Sequence, residues 1–187
     1  VTYFENVCGR VSCPAFFYQP PGTRETHCLT PETIARLADI DNLVGGKVSS
    51  NNAHYLFDLI YAVKGKEFGF IVGAETAFYA GLLAGSRACI GQGCTLNARI
   101  VRAVADRYFA GDVAGALAAQ ADVNAIVRFS PNPVDFIKRV ATEKGYPVGL
   151  HARKMANNPY MEDRPPITDR EYDAYKVIWE KALAKYA

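Results

Sequence analysis

What this sequence lacks narrows the field first. No apolar run approaches the roughly 20 residues that a bilayer crossing takes, so no membrane association is expected and a cytoplasmic location is. Residues 1–10 hold Glu5, Asn6 and a late Arg10, where a secretory signal would need a basic start and then an apolar stretch. The first residue is Val rather than Met, which reads as a processed or truncated start. Charge of one sign is missing too: 21 Lys and Arg stand against 19 Asp and Glu, for a formal net charge of +2. The basic residues are scattered among acids, whereas phosphate backbones need concentrated Lys and Arg; no nucleic-acid partner is expected.

The motif inventory is equally sparse. G-x-G-x-x-G, P-loop and H-E-x-x-H patterns are all absent. His27, His54 and His151 have no metal-ligand spacing, so neither a metal nor a cofactor is expected. The five cysteines, Cys8, Cys13, Cys28, Cys89 and Cys94, are an odd set without a C-x-x-C pair. In a chain of 187 residues that argues against a disulfide scaffold and for reduced thiols. Cys89 and Cys94 flank a glycine-rich strand end where a thiol could react; inert buried thiols are the competing reading.

What remains is a chain whose residues are 50% hydrophobic, enough for one domain with a sizeable core, or a domain and a small appendage. Residues 1–11 read as the end of a helix with Phe4, Val7, Cys8 and Val11 on one face. Ala15-Phe16-Phe17-Tyr18 reads as a buried strand, stopped by Gln19-Pro20-Pro21-Gly22. Thr30 can cap a helix that Pro31 begins and whose apolar face is Ile34, Leu37 and Ala38. The alternation continues: strands at 43–48, 69–73 and 87–91, helices at 53–63, 76–84 and 96–109. Such spacing implies βα units around a parallel sheet. Beyond Gly111 the pattern becomes helical, over 112–129, 133–144 and 169–186, with Thr168 and Glu171 set for a capping box. Residues 145–166, rich in Gly, Pro and Asn, read as a loop. The expected division is therefore 1–111 and 112–187.

Reactive groups of parallel α/β folds collect at the carboxyl ends of strands. Lys47 is the most informative residue there. It sits between Gly46 and Val48, inside an expected buried strand. A desolvated lysine loses hydration of its charged form and becomes nucleophilic toward carbonyls. A solvent-facing lysine on an edge strand is the competing reading. Tyr18, also at a strand end, could relay protons or be a core aromatic. Glu75 and Thr76, after Gly73, could offer a carboxylate and a hydroxyl to a ligand, or cap a helix. Ile90-Gly91-Gln92-Gly93 could present backbone amides, or be a plain tight turn.

At these positions the sequence resembles the dihydrodipicolinate synthase and N-acetylneuraminate lyase family. The residues that carry the resemblance are Tyr18-Gln19-Pro20-Pro21-Gly22, Val44-Gly45-Gly46-Lys47-Val48-Ser49-Ser50, Gly73-Ala74-Glu75, Ala80-Gly81-Leu82-Leu83-Ala84-Gly85 and Ile90-Gly91. The resemblance implies a TIM (β/α)8 barrel with a carboxy-terminal helical domain, commonly a homotetramer. A barrel needs about 250 residues, so this chain would carry the last four βα units and the helical tail. The first four units, with the Thr-Thr segment that holds the substrate carboxylate in the family, would come from elsewhere in the protein or from another chain.

The resemblance also implies a reaction. Lys47 would form a Schiff base with a 2-oxo acid, most simply pyruvate, and Tyr18 would shuttle the proton. Ser49, Gly73, Glu75, Thr76, Ile90 and Gln92 would line the pocket. Two departures bear on the second substrate. Thr23 stands where synthases carry an Arg, with Arg24 one residue late. Glu75 and Thr76 stand where sialic acid lyases carry an Asp-Glu pair, and Gln92 where they carry a Ser. The expectation is an aldolase or lyase nearer the sialic acid lyases. A synthase or a dehydratase using the same imine is the alternative, and a non-catalytic ligand-binding or assembly relative is the rival of another class.

Overall fold

The apolar runs of the first ninety residues form four strands, β1 (Ala15–Gln19), β2 (Leu43–Val48), β3 (Gly69–Val72) and the short β4 (Ala88–Cys89), which pair in chain order as one parallel sheet. The computed structural model describes residues 1–129, 132–150 and 165–186. The chain divides into two units, Val1–Gly91 and Gln92–Ala187.

The register of the first unit sorts its residues into two faces, because successive side chains of a strand point to opposite sides. Phe17, Gly46 and Phe70 share one level, and Gln19, Val48 and Val72 another. The large apolar residues of this face are buried. On the opposite face lie Phe16, Gly45 and Gly69, then Tyr18, Lys47 and Ile71. Here Phe16 is 54% and Tyr18 52% exposed. The expectation of a buried strand at 15–18 is thus half right. β1 is an edge strand, covered on one side and open on the other.

Helices α1 (Thr2–Cys8), α2 (Pro31–Leu37), α3 (Ala53–Ala62) and α4 (Phe78–Ala84) precede or alternate with the strands. Thr30 caps α2 by accepting from the Thr33 N–H at 3.2 Å, and Ile34 and Leu37 are fully buried. Asn52 caps α3 in the same way through Tyr55 N–H. The buried stripe of α3 is Leu56, Leu59 and Ile60, at helical spacing. Each such side chain contributes about 1.5–3 kcal/mol by leaving water. Helix α4 stops at Gly85, whose φ of 118° suits glycine alone. Helix α1 is shorter than expected. It ends at Cys8, and Val7 and Val11 are 43% and 42% exposed. Only Cys8 of the expected apolar face is buried, and Phe4 is half-buried. Cys13 is exposed, and Cys28, Cys89 and Cys94 are half-buried, so the expectation of buried thiols holds for Cys8 alone.

The second unit contains α5 (Cys94–Phe109), α6 (Val113–Phe129), α7 (Pro133–Glu143) and α8 (Asp169–Leu183), the last followed by a 3-10 turn at Ala184–Tyr186. Its core gathers Ile100, Val104, Ala116, Ala119, Ile126, Phe136, Val140 and Trp179. The Phe136 ring meets Tyr172, Tyr175 and Trp179 at centroid separations of 5.4, 4.5 and 5.6 Å. Trp179 Nε1–H donates to Asn97 Oδ1 at 2.7 Å, which satisfies a buried polar pair at the one non-helical residue inside α5. The expected capping box at Thr168 and Glu171 is formed. Of the expected loop at 145–166, residues 151–164, with His151, lie outside the described residues.

Candidate active site

Parallel pairing alone brings Tyr18 and Lys47 side by side, since they are register partners on β1 and β2. Both belong to the open face of the sheet, near the strands' carboxyl ends. Lys47 Nζ lies 4.4 Å from the centroid of the Tyr18 ring. Lys47 itself is half-buried, so the fully buried strand expected around it is open on the lysine's side.

The two glycines before Lys47 have a packing cause. A Cβ at Gly45 would overlap the Phe16 ring and the Gly69 carbonyl, and one at Gly46 would overlap the Phe17 ring. Rings from β1 therefore press on β2 from both faces, and only glycine admits them. Phe16 lies over Gly45, one level below Lys47 on the same face.

Ser49 follows β2 and is anchored by its N–H on the Gln19 carbonyl at 3.0 Å. Its hydroxyl lies 3.4 Å from Tyr18 Oη and 3.4 Å from the Gly73 carbonyl, so its single proton can serve either oxygen. Gly73 has no room for a side chain, because a Cβ there would overlap Ser49, backbone included. Lys47, Tyr18, Ser49 and Gly73 thus lie together at the carboxyl ends of β1, β2 and β3.

Glu75 and Thr76 lie in the 3-10 turn Glu75–Ala77, where no side chain caps the turn. Thr76 Oγ1–H instead donates across the sheet end to Asn51 Oδ1 at 2.7 Å. The Glu75 carboxylate occupies the space where a Cβ of Gly91 would be. Ile90 donates its N–H to the Val72 carbonyl at 3.0 Å and leaves its side chain 51% exposed. Gln92 is exposed and belongs to the second unit.

Sequence reasoning missed the residues behind this row. A cleft of about 660 Å³ opens between residues 19–31, after β1, and 49–55, after β2. Gln19, 7% exposed, accepts through Oε1 from the Leu29 N–H at 2.9 Å, and the Tyr55 hydroxyl lies 3.1 Å from the same oxygen. Burial is the main reason that the Tyr55 phenol is pushed above its ordinary value of 10. The polar run Ser49-Ser50-Asn51-Asn52 at a strand end was the available signal.

Comparison with known proteins sets this arrangement among relatives. The chain is 29% identical over 123 residues to a DapA-like lyase of Halobacterium salinarum, covering 66% of this chain and 40% of that protein. It is 30% identical over 117 residues to the 4-hydroxy-tetrahydrodipicolinate synthase of Nitrosospira multiformis, covering 63% and 38%. It therefore spans about 40% of the length of these curated relatives. Among solved structures, it superposes on YagE of E. coli K12, a dihydrodipicolinic acid synthase family protein solved with pyruvate. The TM-score is 0.78 at 23% identity, over 100% of this chain and 61% of that one. On N-acetylneuraminate lyase of Mycoplasma synoviae the TM-score is 0.70 at 21% identity, over 99% and 58%. These likenesses give an α/β fold with a parallel sheet. A sequence profile of the dihydrodipicolinate synthetase family matches residues 1–171, and the chain belongs to that family.

Proposed function

We propose that this chain carries the imine-forming part of a class I aldolase or lyase acting on a 2-oxo acid. The observation that carries the reading is Lys47 beside Tyr18 on adjacent strands, with Ser49 bridging toward the phenol. In the cleavage direction Lys47 Nζ adds to the ketone carbon of a 4-hydroxy-2-oxo acid, and water leaves to give an imine; in the condensation direction pyruvate is the 2-oxo acid that forms it. The protonated imine accepts the electron pair of the carbon–carbon bond as it breaks. Tyr18 takes the proton from the departing aldehyde's hydroxyl and returns one to the enamine carbon. Water then hydrolyses the imine, and Lys47 is regenerated.

Ser49 orients Tyr18 in this reading, and Gly73, which admits Ser49 against its backbone, lines the pocket. Glu75, Thr76 and Ile90 face the substrate's distal part. A polyhydroxylated 2-oxo acid fits this set better than a semialdehyde with a second carboxylate, which Glu75 would repel and for which Thr23 offers no charge. The functional division follows the βα logic: residues 1–111 end with the helix after β4, and 112–187 form a helical domain. The open face of the sheet suits half of a (β/α)8 barrel, completed by the remainder of the protein or by another chain. A homo-oligomer, a tetramer by family resemblance, and a cytoplasmic location complete the reading; no helix among the described residues is long and apolar enough to cross a membrane.

The test is reductive trapping. Pyruvate with borohydride, added to the whole protein, should label Lys47 covalently, as read by peptide mass spectrometry. An adduct on a different lysine, or none, would sink the imine.

A further inference from the structure

We infer that Ile71 is a positioning residue for the reaction: it closes the β3 side of Lys47 and so keeps the amine against the Tyr18 ring. The inference rests on the proposed imine at Lys47 and adds to it a residue with no reactive group of its own.

The ladder sets the placement. Tyr18, Lys47, Ile71 and Ala88 are successive register partners on β1 to β4. Parallel partners share a face, and neighbouring strands stand about 4.8 Å apart. Lys47 therefore has Tyr18 on one flank and Ile71 on the other. The two flanks differ. On the β1 side the face of an aromatic ring attracts a cation, and Lys47 Nζ lies 4.4 Å from that ring's centroid. On the β3 side Ile71 offers hydrocarbon alone. Beyond it Ala88 carries a single methyl group, so Ile71 supplies the bulk of this row on that side.

The level below is filled as well. Phe16, Gly45 and Gly69 are partners there. The Phe16 ring lies over Gly45 and comes within 3.6 Å of where a Cβ of Gly69 would be. Lysine is a compact charge on a flexible four-carbon stem, so its backbone position alone does not fix Nζ. With Phe16 beneath and Ile71 beside it, the stem keeps to the Tyr18 side. Ile71 suits this task because β-branching leaves its χ1 few choices, and it is half-buried.

Position matters most at one step. When the pyruvate iminium becomes an enamine, a methyl proton moves to the Tyr18 oxygen as that oxygen's own proton passes on to water. The C–H electron pair becomes the carbon–carbon double bond, and the C=N pair returns to nitrogen. In D2O the reverse step delivers a deuteron to the same carbon. Capture of the ketone asks only for the amine, so loss of position should show in proton transfer before it shows in capture.

The test follows deuterium entry into the pyruvate methyl group by NMR in the whole protein, with borohydride labelling of Lys47 in parallel. Ile71→Ala should slow exchange about ten-fold or more, since a misplacement of about 1 Å can cost 10²-fold, while pyruvate still labels Lys47. Ile71→Val keeps the branch and should bring exchange back to within about two-fold of wild type. The discriminating variant combines Ile71→Ala with Tyr18→Phe. Residues that act as a unit have non-additive effects, so the pair should exchange no more slowly than Tyr18→Phe alone. Wild-type exchange in Ile71→Ala, a loss that adds in full to that of Tyr18→Phe, or no recovery in Ile71→Val would overturn the positioning role. Should Ile71→Ala not fold, as read by circular dichroism, Ile71→Leu keeps the volume and drops the branch; exchange there should also be slowed, and the wild-type rate would overturn the role equally. A wild-type protein that neither labels at Lys47 nor exchanges would overturn the imine, and the role of Ile71 with it.

Discussion

Tyr18 and Lys47 are register partners on neighbouring parallel strands, and the lysine Nζ stands 4.4 Å from the centre of the phenol ring. Their adjacency comes from the ladder, so it does not depend on a flexible loop. Lys47→Ala should abolish turnover, because the imine needs this amine. Tyr18→Phe keeps the ring beside Lys47 and removes the relay. Pyruvate trapping should persist in that variant while turnover falls by about 10²-fold, the usual size of a general acid–base contribution. Wild-type turnover in Tyr18→Phe would make Tyr18 a packing residue only.

The glycines of β2 and β3 invite a stability test. Gly45 and Gly69 are register partners on the open face, yet they differ in the space around them. A Cβ at Gly45 overlaps the Phe16 ring and a carbonyl, whereas one at Gly69 meets its neighbours at an ordinary 3.6 Å. Gly45→Ala should cost about 1–3 kcal/mol by overpacking, and Gly69→Ala should be near neutral. Urea unfolding of both variants reads the contrast; equal midpoints would mean that Phe16 swings aside freely.

Much of this fold was legible because local signals agreed. Thr30 with Pro31, and Thr168 with Glu171, marked helix starts that the backbone obeys. The strand at Val44-Gly45-Gly46-Lys47 was readable from its apolar run and glycines, and Lys47 stood out as a charge inside it. Burial was less legible. An apolar strand does not reveal which of its faces this chain covers, and Phe16 and Tyr18 lie on the face of β1 that it leaves open. The hydrogen bonds of Gln19 and Asn51 were missed because their partners stand 10 and 25 residues away, which no local pattern encodes.

The second unit has its own pH prediction. The Glu171 carboxyl is held below its ordinary value of 4.5, first by the Thr168 N–H and then by the Thr168 hydroxyl. A depressed folded value means that its contribution is present above the ordinary value and lost as pH falls through the folded one. Thr168→Ala should destabilise the protein by about 1 kcal/mol, as loss of a cap does. It should also move the Glu171 midpoint upward in an NMR titration. An unmoved midpoint would show that the hydroxyl has no part in the shift.

In the proposed reading Glu75 meets the substrate's distal part, and Gly91 bears on where its carboxylate sits. The carboxylate lies where a Cβ of residue 91 would be, so glycine there is a condition for the position of Glu75. Two substitutions separate its charge from its place. Glu75→Gln keeps the shape and removes the charge; Gly91→Ala keeps the charge and forces the group to move. If Glu75 accepts hydrogen bonds from substrate hydroxyls, both variants should lose kcat/KM on a polyhydroxylated 2-oxo acid. Leaving polar partners unmatched in a site costs about 1–3 kcal/mol, so the loss should be roughly ten-fold or more. Pyruvate trapping at Lys47 should be unaffected in both, because pyruvate has no hydroxylated tail. Glu75→Gln should in addition relax the rejection of substrates with a second carboxylate, and Gly91→Ala should do so less, since the charge remains nearby. Steady-state kinetics with the two substrate types decide the matter. Unchanged kcat/KM on the hydroxylated acid in both variants would remove Glu75 from the specificity pocket.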